Sequence, residues 1–254
     1  MTADAQLIVS VERATLCVTI NRPEKRNALS LGLLDQIGAA FADHREHELK
    51  CAVLTGAGQK AFAAGGDLKE LDALRSAAEA QAMSERVHTV LDEIRYFPVP
   101  VIGALNGVAL GGGAELAMAC DLRIGAAHAD LGLIQAQLAL TTAWGGGIDL
   151  INAVGNSAAL SILCAGRRLN AEEAQSLRLY EAVCPATEDF QSFTESFLNA
   201  YLSKSINVLR GYKRTAAARR KQLQNELKGI ARDEFVTAWT DDDHWQAAAN
   251  ALKK

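Results

Sequence analysis

The sequence predicts an α/β protein with a parallel-sheet core followed by a helical region. Three observations carry this. Short β-branched runs alternate with helical periodicity in the first part of the chain, glycine-rich turns stand where strands hand over to helices, and the last third is helical throughout. The core is expected over 1–200 and the helical region over 201–254.

Taken in order, Leu7 to Val11 and Ala14 to Ile20 alternate around Glu12-Arg13 and read as a hairpin. Asn21 to Asn27 is a polar loop. Ser30 can cap the next helix, where Leu33, Leu34, Ile37 and Phe41 form an apolar stripe. Cys51 to Thr55 is a buried strand, and Gly56 to Gly66 is a glycine-punctuated loop. A helix over Ala77 to Arg95 stops before Pro98-Val99-Pro100. Strand Val101 to Ala104, the glycine turn, helix Gly112 to Cys120 and strand Asp121 to Ala126 follow as a β-α-β run. Another strand at about Asp130 to Leu133 leads to Trp144-Gly145-Gly146-Gly147. From Gly147 the signal is helical: Ile148 to Val154, Ser157 to Cys164, Ala171 to Leu177, Asp189 to Leu202, and Ile206 to about Leu252. Such a tail can dock on a neighbouring subunit or cap its own chain.

With 254 residues, 49% hydrophobic and 22% charged, the chain can bury a substantial core. A net charge of −4 gives no support to nucleic-acid binding. Cys17, Cys51, Cys120, Cys164 and Cys184 are scattered and form no Cys-x-x-Cys pair, as expected of reduced thiols. No basic-then-apolar segment opens the chain and no uncharged stretch is long enough to span a bilayer. A cytoplasmic protein with no membrane partner is expected.

Chemistry is concentrated at two glycine clusters. Gly111-Gly112-Gly113 precede a helix, where free N–H groups and the dipole favour negative charge, and Glu115 lies one turn further on. Gly65-Gly66-Asp67 reads either as a tight turn with an N-cap or as a second presenter of backbone N–H groups. Two amides aimed at one oxygen make an oxyanion hole. Neither cluster has the spacing of a phosphate loop. No histidine spacing suggests a metal site. His88 is read as a surface or satisfied core residue, with a role in the pocket as the alternative. Lys213, Arg214, Arg219, Arg220 and Lys221 make either a charged helix face or a phosphate contact.

Asn21 to Leu29, Ala61 to Asp67 and Asn106 to Asp121 resemble the three signature stretches of the crotonase superfamily, best known for enoyl-CoA hydratases and isomerases. The similarity runs from about Leu7 to Pro185. It implies a spiral core of ββα repeats with a C-terminal helical region of the trimerisation type, assembled as a homotrimer or dimer of trimers. It implies an acyl-CoA thioester whose carbonyl oxygen lies between the N–H groups of Gly66 and Gly112, which stabilise an enolate. No cofactor is implied, because coenzyme A enters as part of the substrate. The CoA would be embraced by the loop containing Arg22, Lys25 and Ala28 and by Ala63, Ala64, Gly65, Asp67 and Leu68.

One position departs from the pattern. Hydratases of this family carry a second glutamate where this chain has Gln135, which can orient a water but cannot exchange a proton at neutral pH. That leaves Glu115 as the lone acid/base. A neutral second position would suit loss of carbon dioxide from an α-carboxylated acyl-CoA of the ethylmalonyl or methylmalonyl type, since two fixed anions would repel that substrate. Ala143-Trp144-Gly145-Gly146 resembles the Ser-Trp-Gly-Gly stretch of ethylmalonyl-CoA decarboxylases, with Trp144 either walling the acyl pocket or packing in the core. The reading from another class is a non-catalytic acyl-CoA- or RNA-binding relative.

Overall fold

A computed structural model describes residues 5–251, without the side chains of Leu68 and Lys69. The hairpin forms as expected: β1 (Leu7–Glu12) runs antiparallel to β2 (Thr15–Ile20), turning through Arg13 and Ala14, both at positive φ. Three further strands, β3 (Cys51–Gly56), β5 (Val101–Leu105) and β7 (Leu122–Ala126), add in parallel, and β9 (Ala182–Cys184) completes the sheet. Its order is β1-β2-β3-β5-β7-β9. A second parallel sheet is made of β4 (Ala61–Ala63), β6 (Val108–Leu110) and β8 (Leu131–Gly132). The chain thus alternates between sheets, one strand in each before it departs, and this alternation is the ββα spiral.

Three strands and one helix break correct the sequence reading. The β-α-β run holds an extra strand, β6, and β4 lies within the stretch read as a loop. Three-residue strands are too short for an alternation to register. The helical final third is interrupted by β9, whose Ala-Val-Cys pairs with Ile124–Ala126 at the sheet edge. The single terminal helix is two: α9 (Ile206–Trp239) and α10 (Asp242–Ala251), parted at Thr240 and Asp241, where the Asp241 carboxylate accepts from the Asp243 N–H at 2.8 Å.

The other helices are α1 (Leu31–Asp43), α2 (Leu68–Leu71), α3 (Ala77–Arg95), α4 (Gly112–Ala119), α5 (Gly146–Val154), α6 (Asn156–Cys164), α7 (Ala171–Ser176) and α8 (Phe190–Leu202). Ser30 caps α1 by accepting from Leu33 N–H, and Ser76 with Glu79 forms a capping box on α3. Within the chain, α9 packs on α3 and α5, and α10 on the 3-10 turn Gln135–Leu138. Among the described residues no helix is long and apolar enough to cross a membrane.

Candidate active site

The site forms where the small sheet hands over to α2 and α4. Gly111, at φ +54° and ψ −122°, turns β6 into α4 through backbone that side chains disfavour. Gly113 is dictated by contact, since a Cβ there would lie 1.9 Å from the Ala63 carbonyl oxygen on β4. Between them, Gly112 presents a first-turn helix N–H that has no protein acceptor among the described residues.

Gly66 arrives from the end of β4. Its neighbours are spent on the Asn21–Leu29 loop: Leu29 N–H donates to Gly65 O at 2.9 Å, and Asp67 N–H to Leu29 O at 2.8 Å. In such a parallel bridge the intervening Gly66 N–H faces the other way, and it too lacks an acceptor among the described residues. Trp144 ties the glycines together. A Cβ at Gly112 would fall 2.4 Å from Trp144 Cη2, and one at Gly66 would fall 3.6 Å from the same atom. Both glycines therefore sit against one edge of the indole, in a cavity of about 690 Å³.

Glu115 lines this cavity, is 1% exposed and is saturated with donors. Its Oε1 accepts from Gln135 Nε2 at 2.9 Å and Ala143 N–H at 3.2 Å. Its Oε2 accepts from the N–H groups of Trp144 at 2.8 Å and Gly146 at 2.9 Å. Burial pushes the carboxyl above the usual glutamate range, and the three amides oppose that shift by favouring the ionised form.

The loop that supplies those amides is satisfied on its other side as well. Ser84 Oγ donates to Ala143 O at 2.6 Å, Arg95 to Trp144 O at 2.7 Å and Gln224 to Gly145 O at 3.2 Å. The Trp144 indole N–H meets Met83 Sδ at 3.3 Å. Behind the loop lies a buried ionic cluster. Asp149 accepts from Arg95 Nε at 3.0 Å, Arg220 Nε at 2.8 Å and Gln224 Nε2 at 2.8 Å. Burial works against its charge, and Arg220 and Arg95 outweigh that, holding Asp149 below the usual carboxylate range. Arg220 also caps α4 by donating to Met118 O and Ala119 O. The tail helix is thereby wired to the loop that holds Glu115.

Of the residues singled out from sequence, Ala64, Gly65, Gly66, Gly112, Glu115, Gln135 and Trp144 line one cavity. Trp144 is both pocket wall and core, at 3% exposure. Five others lie outside it. Arg22 is buried and donates to Ala28 O at 2.6 Å while pairing with Asp67 at 3.4 Å. The Asp67 carboxylate is the partner in that pair. Ala63 is fully buried against Gly113, Lys25 is exposed, and Ala28 is half-buried. The Leu68 side chain lies outside the described residues. Ala64 N–H donates to Arg26 O at 3.1 Å. Lys213 and Arg220 belong to neither a solvated face nor a phosphate site; they are buried against Asp121 and Asp149. His88 is a satisfied residue, its Nε2 3.1 Å from Gln224 Oε1.

Sequence reasoning missed Arg95, Asp149 and Gln224, together with the wall formed by Met83, Phe235, Trp239 and His244. Asp149 alone carried a signal, as a lone carboxylate inside the apolar run Gly147 to Ile151.

The family model for enoyl-CoA hydratase/isomerase matches residues 11–251. Enoyl-CoA hydratase domain-containing protein 2, mitochondrial, of Mus musculus is 38% identical over 173 residues, covering 68% of this chain and 58% of that protein. The ethylmalonyl-CoA decarboxylase of Xenopus tropicalis is 27% identical over 237 residues, covering 93% of this chain and 79% of that one. A crystal structure of enoyl-CoA hydratase from Bacillus anthracis superposes with TM-score 0.79 at 29% identity, covering 98% and 96% of the two chains. For the first curated relatives the chain matches only 58–64% of their length.

Proposed function

The chain belongs to the enoyl-CoA hydratase/isomerase family, and from that premise we propose that it binds an acyl-CoA thioester and stabilises its enolate between the Gly66 and Gly112 amides. The supporting observation is that these two N–H groups, both without acceptors among the described residues, belong to glycines set against one edge of Trp144 beside Glu115. The thioester oxygen would accept from both. As charge moves onto it in the transition state, each fixed donor contributes a factor of about 10²–10³ in rate. Glu115, beside the two glycines, is the group that carries a proton to or from the acyl carbons in this reading, and Gln135 orients it through its donated hydrogen bond. Coenzyme A enters with the substrate and no other cofactor is invoked. The assembly proposed with this reading is a homotrimer or dimer of trimers, and light scattering in solution tests it.

A second reading is favoured by Gln135 and by the similarity to ethylmalonyl-CoA decarboxylase across most of the chain. In it the bond from the α-carbon to its carboxylate breaks, carbon dioxide leaves, and the electron pair enters the thioester as the enolate. A proton then closes the α-carbon. Incubation with crotonyl-CoA and ethylmalonyl-CoA, following 3-hydroxybutyryl-CoA and butyryl-CoA, separates the two. Hydration without decarboxylation removes the second reading. Binding of both thioesters with turnover of neither, unchanged in Glu115→Ala, removes catalysis and favours a binding protein.

A further inference from the structure

Two peptide groups of the loop Ala143 to Gly146 are engaged at both ends. Ser84 Oγ, on α3, donates to Ala143 O at 2.6 Å, and the N–H of that same peptide group, carried by Trp144, donates to Glu115 Oε2 at 2.8 Å. Gln224 Nε2, on α9, donates to Gly145 O at 3.2 Å, and the N–H of that peptide group, carried by Gly146, donates to the same carboxylate oxygen at 2.9 Å. Two side chains from separate helices thus converge on one atom, each through a single peptide group. Arg95 follows no such route. Its bond to Trp144 O enters the peptide group that carries the Gly145 N–H, which is not among the donors to Glu115.

A hydrogen bond accepted by a carbonyl draws electron density from nitrogen along the conjugated C–N bond, and the N–H becomes the stronger donor. A stronger donor favours the carboxylate over the acid. Burial acts most on the Glu115 carboxyl and raises its pKa, and the Gly146 and Trp144 amides lead the groups that oppose it. Both helical side chains are placed for this task. Ser84 lies mid-helix, where serine ordinarily bonds back to its own helix, yet its hydroxyl reaches a carbonyl 59 residues further on. The Gln224 amide has its orientation fixed. Its Nε2 faces only acceptors, Gly145 O and Asp149 Oδ1, so its Oε1 accepts from His88 Nε2 at 3.1 Å. Ser84 and Gln224 are 2% and 1% exposed.

We propose that Ser84 and Gln224 are positioning residues for proton transfer, which strengthen through these two peptide groups the N–H donors that hold Glu115 Oε2. The inference rests on the acyl-CoA reading for the transfer itself, whereas the effect on Glu115 belongs to the free protein.

NMR of the isotope-labelled full chain, with the Trp144 and Gly146 amides assigned by triple resonance, tests it without a substrate. Ser84→Ala should move the Trp144 amide proton upfield and spare that of Gly146, and Gln224→Met should do the reverse. Ser84→Thr, which keeps the hydroxyl, should hold the Trp144 signal in place. Infrared titration, read as the difference from Glu115→Gln, should put the Glu115 carboxylate midpoint about 0.1–0.7 pH unit higher in either variant. With crotonyl-CoA or ethylmalonyl-CoA as substrate, the Glu115 limb of the pH–kcat profile should move the same way, with KM unchanged. Both amides moving alike in either variant would mean a loosened loop and would overturn the proposal, as would an unmoved carboxylate midpoint. The variants act on different peptide groups, so a single folded one decides. Failure to bind either thioester would bring down the acyl-CoA reading and the transfer step with it, and would leave the crossed amide shifts unaffected.

Discussion

Replacing Asp149 by alanine strips two buried guanidiniums of the carboxylate they share. In the native chain Asp149 pairs with Arg95 Nε at 3.0 Å and Arg220 Nε at 2.8 Å, and neither its own side chain nor that of Arg95 is more than 2% exposed. At about 4 Å and an effective dielectric of about 20, each pair is worth roughly 4 kcal/mol. Arg95 keeps Asp92 at 3.0 Å and Arg220 keeps Asp121 at 3.7 Å, so the loss falls short of two full pairs. The expected destabilisation is about 3–5 kcal/mol, or roughly 6–20 °C in melting temperature. Urea unfolding followed by tryptophan fluorescence, at fixed protein concentration, reads it directly. The same variant should lose turnover, because Arg95 and Gln224 are then no longer held against the Trp144 and Gly145 carbonyls. Removing both arginines as well should recover much of the stability, since the cost lies in orphaned charge. A loss below about 1 kcal/mol would refute the reasoning, for the cluster would then be no more than a surface-like ion pair.

The acid limb of stability follows from the same residue. Its folded pKa is depressed, so its stabilisation is complete above the unfolded value of about 4 and fades as pH falls through the folded one; Asp149→Asn should flatten that limb in acid titrations followed by circular dichroism. Glu115→Gln keeps one oxygen for the Trp144 and Gly146 N–H groups, and Gln135 can reverse its amide to meet the new NH₂, but the Ala143 N–H is orphaned, so the variant should lose about 1–3 kcal/mol in urea unfolding while turnover falls about 10²–10⁴-fold in steady-state assays. Gln135→Glu sets a second carboxylate beside Glu115, so one of the two must titrate upward; crotonyl-CoA hydration should rise at least about tenfold with a shifted pH–rate profile. Gly112→Ala places a Cβ 2.2 Å from Trp144 Cζ3 and should cost about 1–3 kcal/mol in urea unfolding, with the coupling to Trp144→Leu visible in a double-mutant cycle.

Much of this protein was legible in its residues because the signals were local. The Ser30 cap, the α3 periodicity and the triple-glycine turn depend on neighbours within a turn or two of chain, and each element lies where the pattern put it. The one-turn spacing from Gly112 to Glu115 likewise sets an amide and a carboxylate together by local geometry alone. What tertiary structure decided were the long-range pairings. Arg22 pairs with Asp67, 45 residues away, and Arg220, which could have stood on a charged helix face, is buried on Asp149. The four donors on Glu115 come from as far along the chain as Gly146, and His244 reaches the cavity only because α9 ends at Trp239 and α10 folds back. Periodicity reports which face of an element is apolar, but which charge meets which across the fold is a property of packing, where burial makes every unpaired group costly.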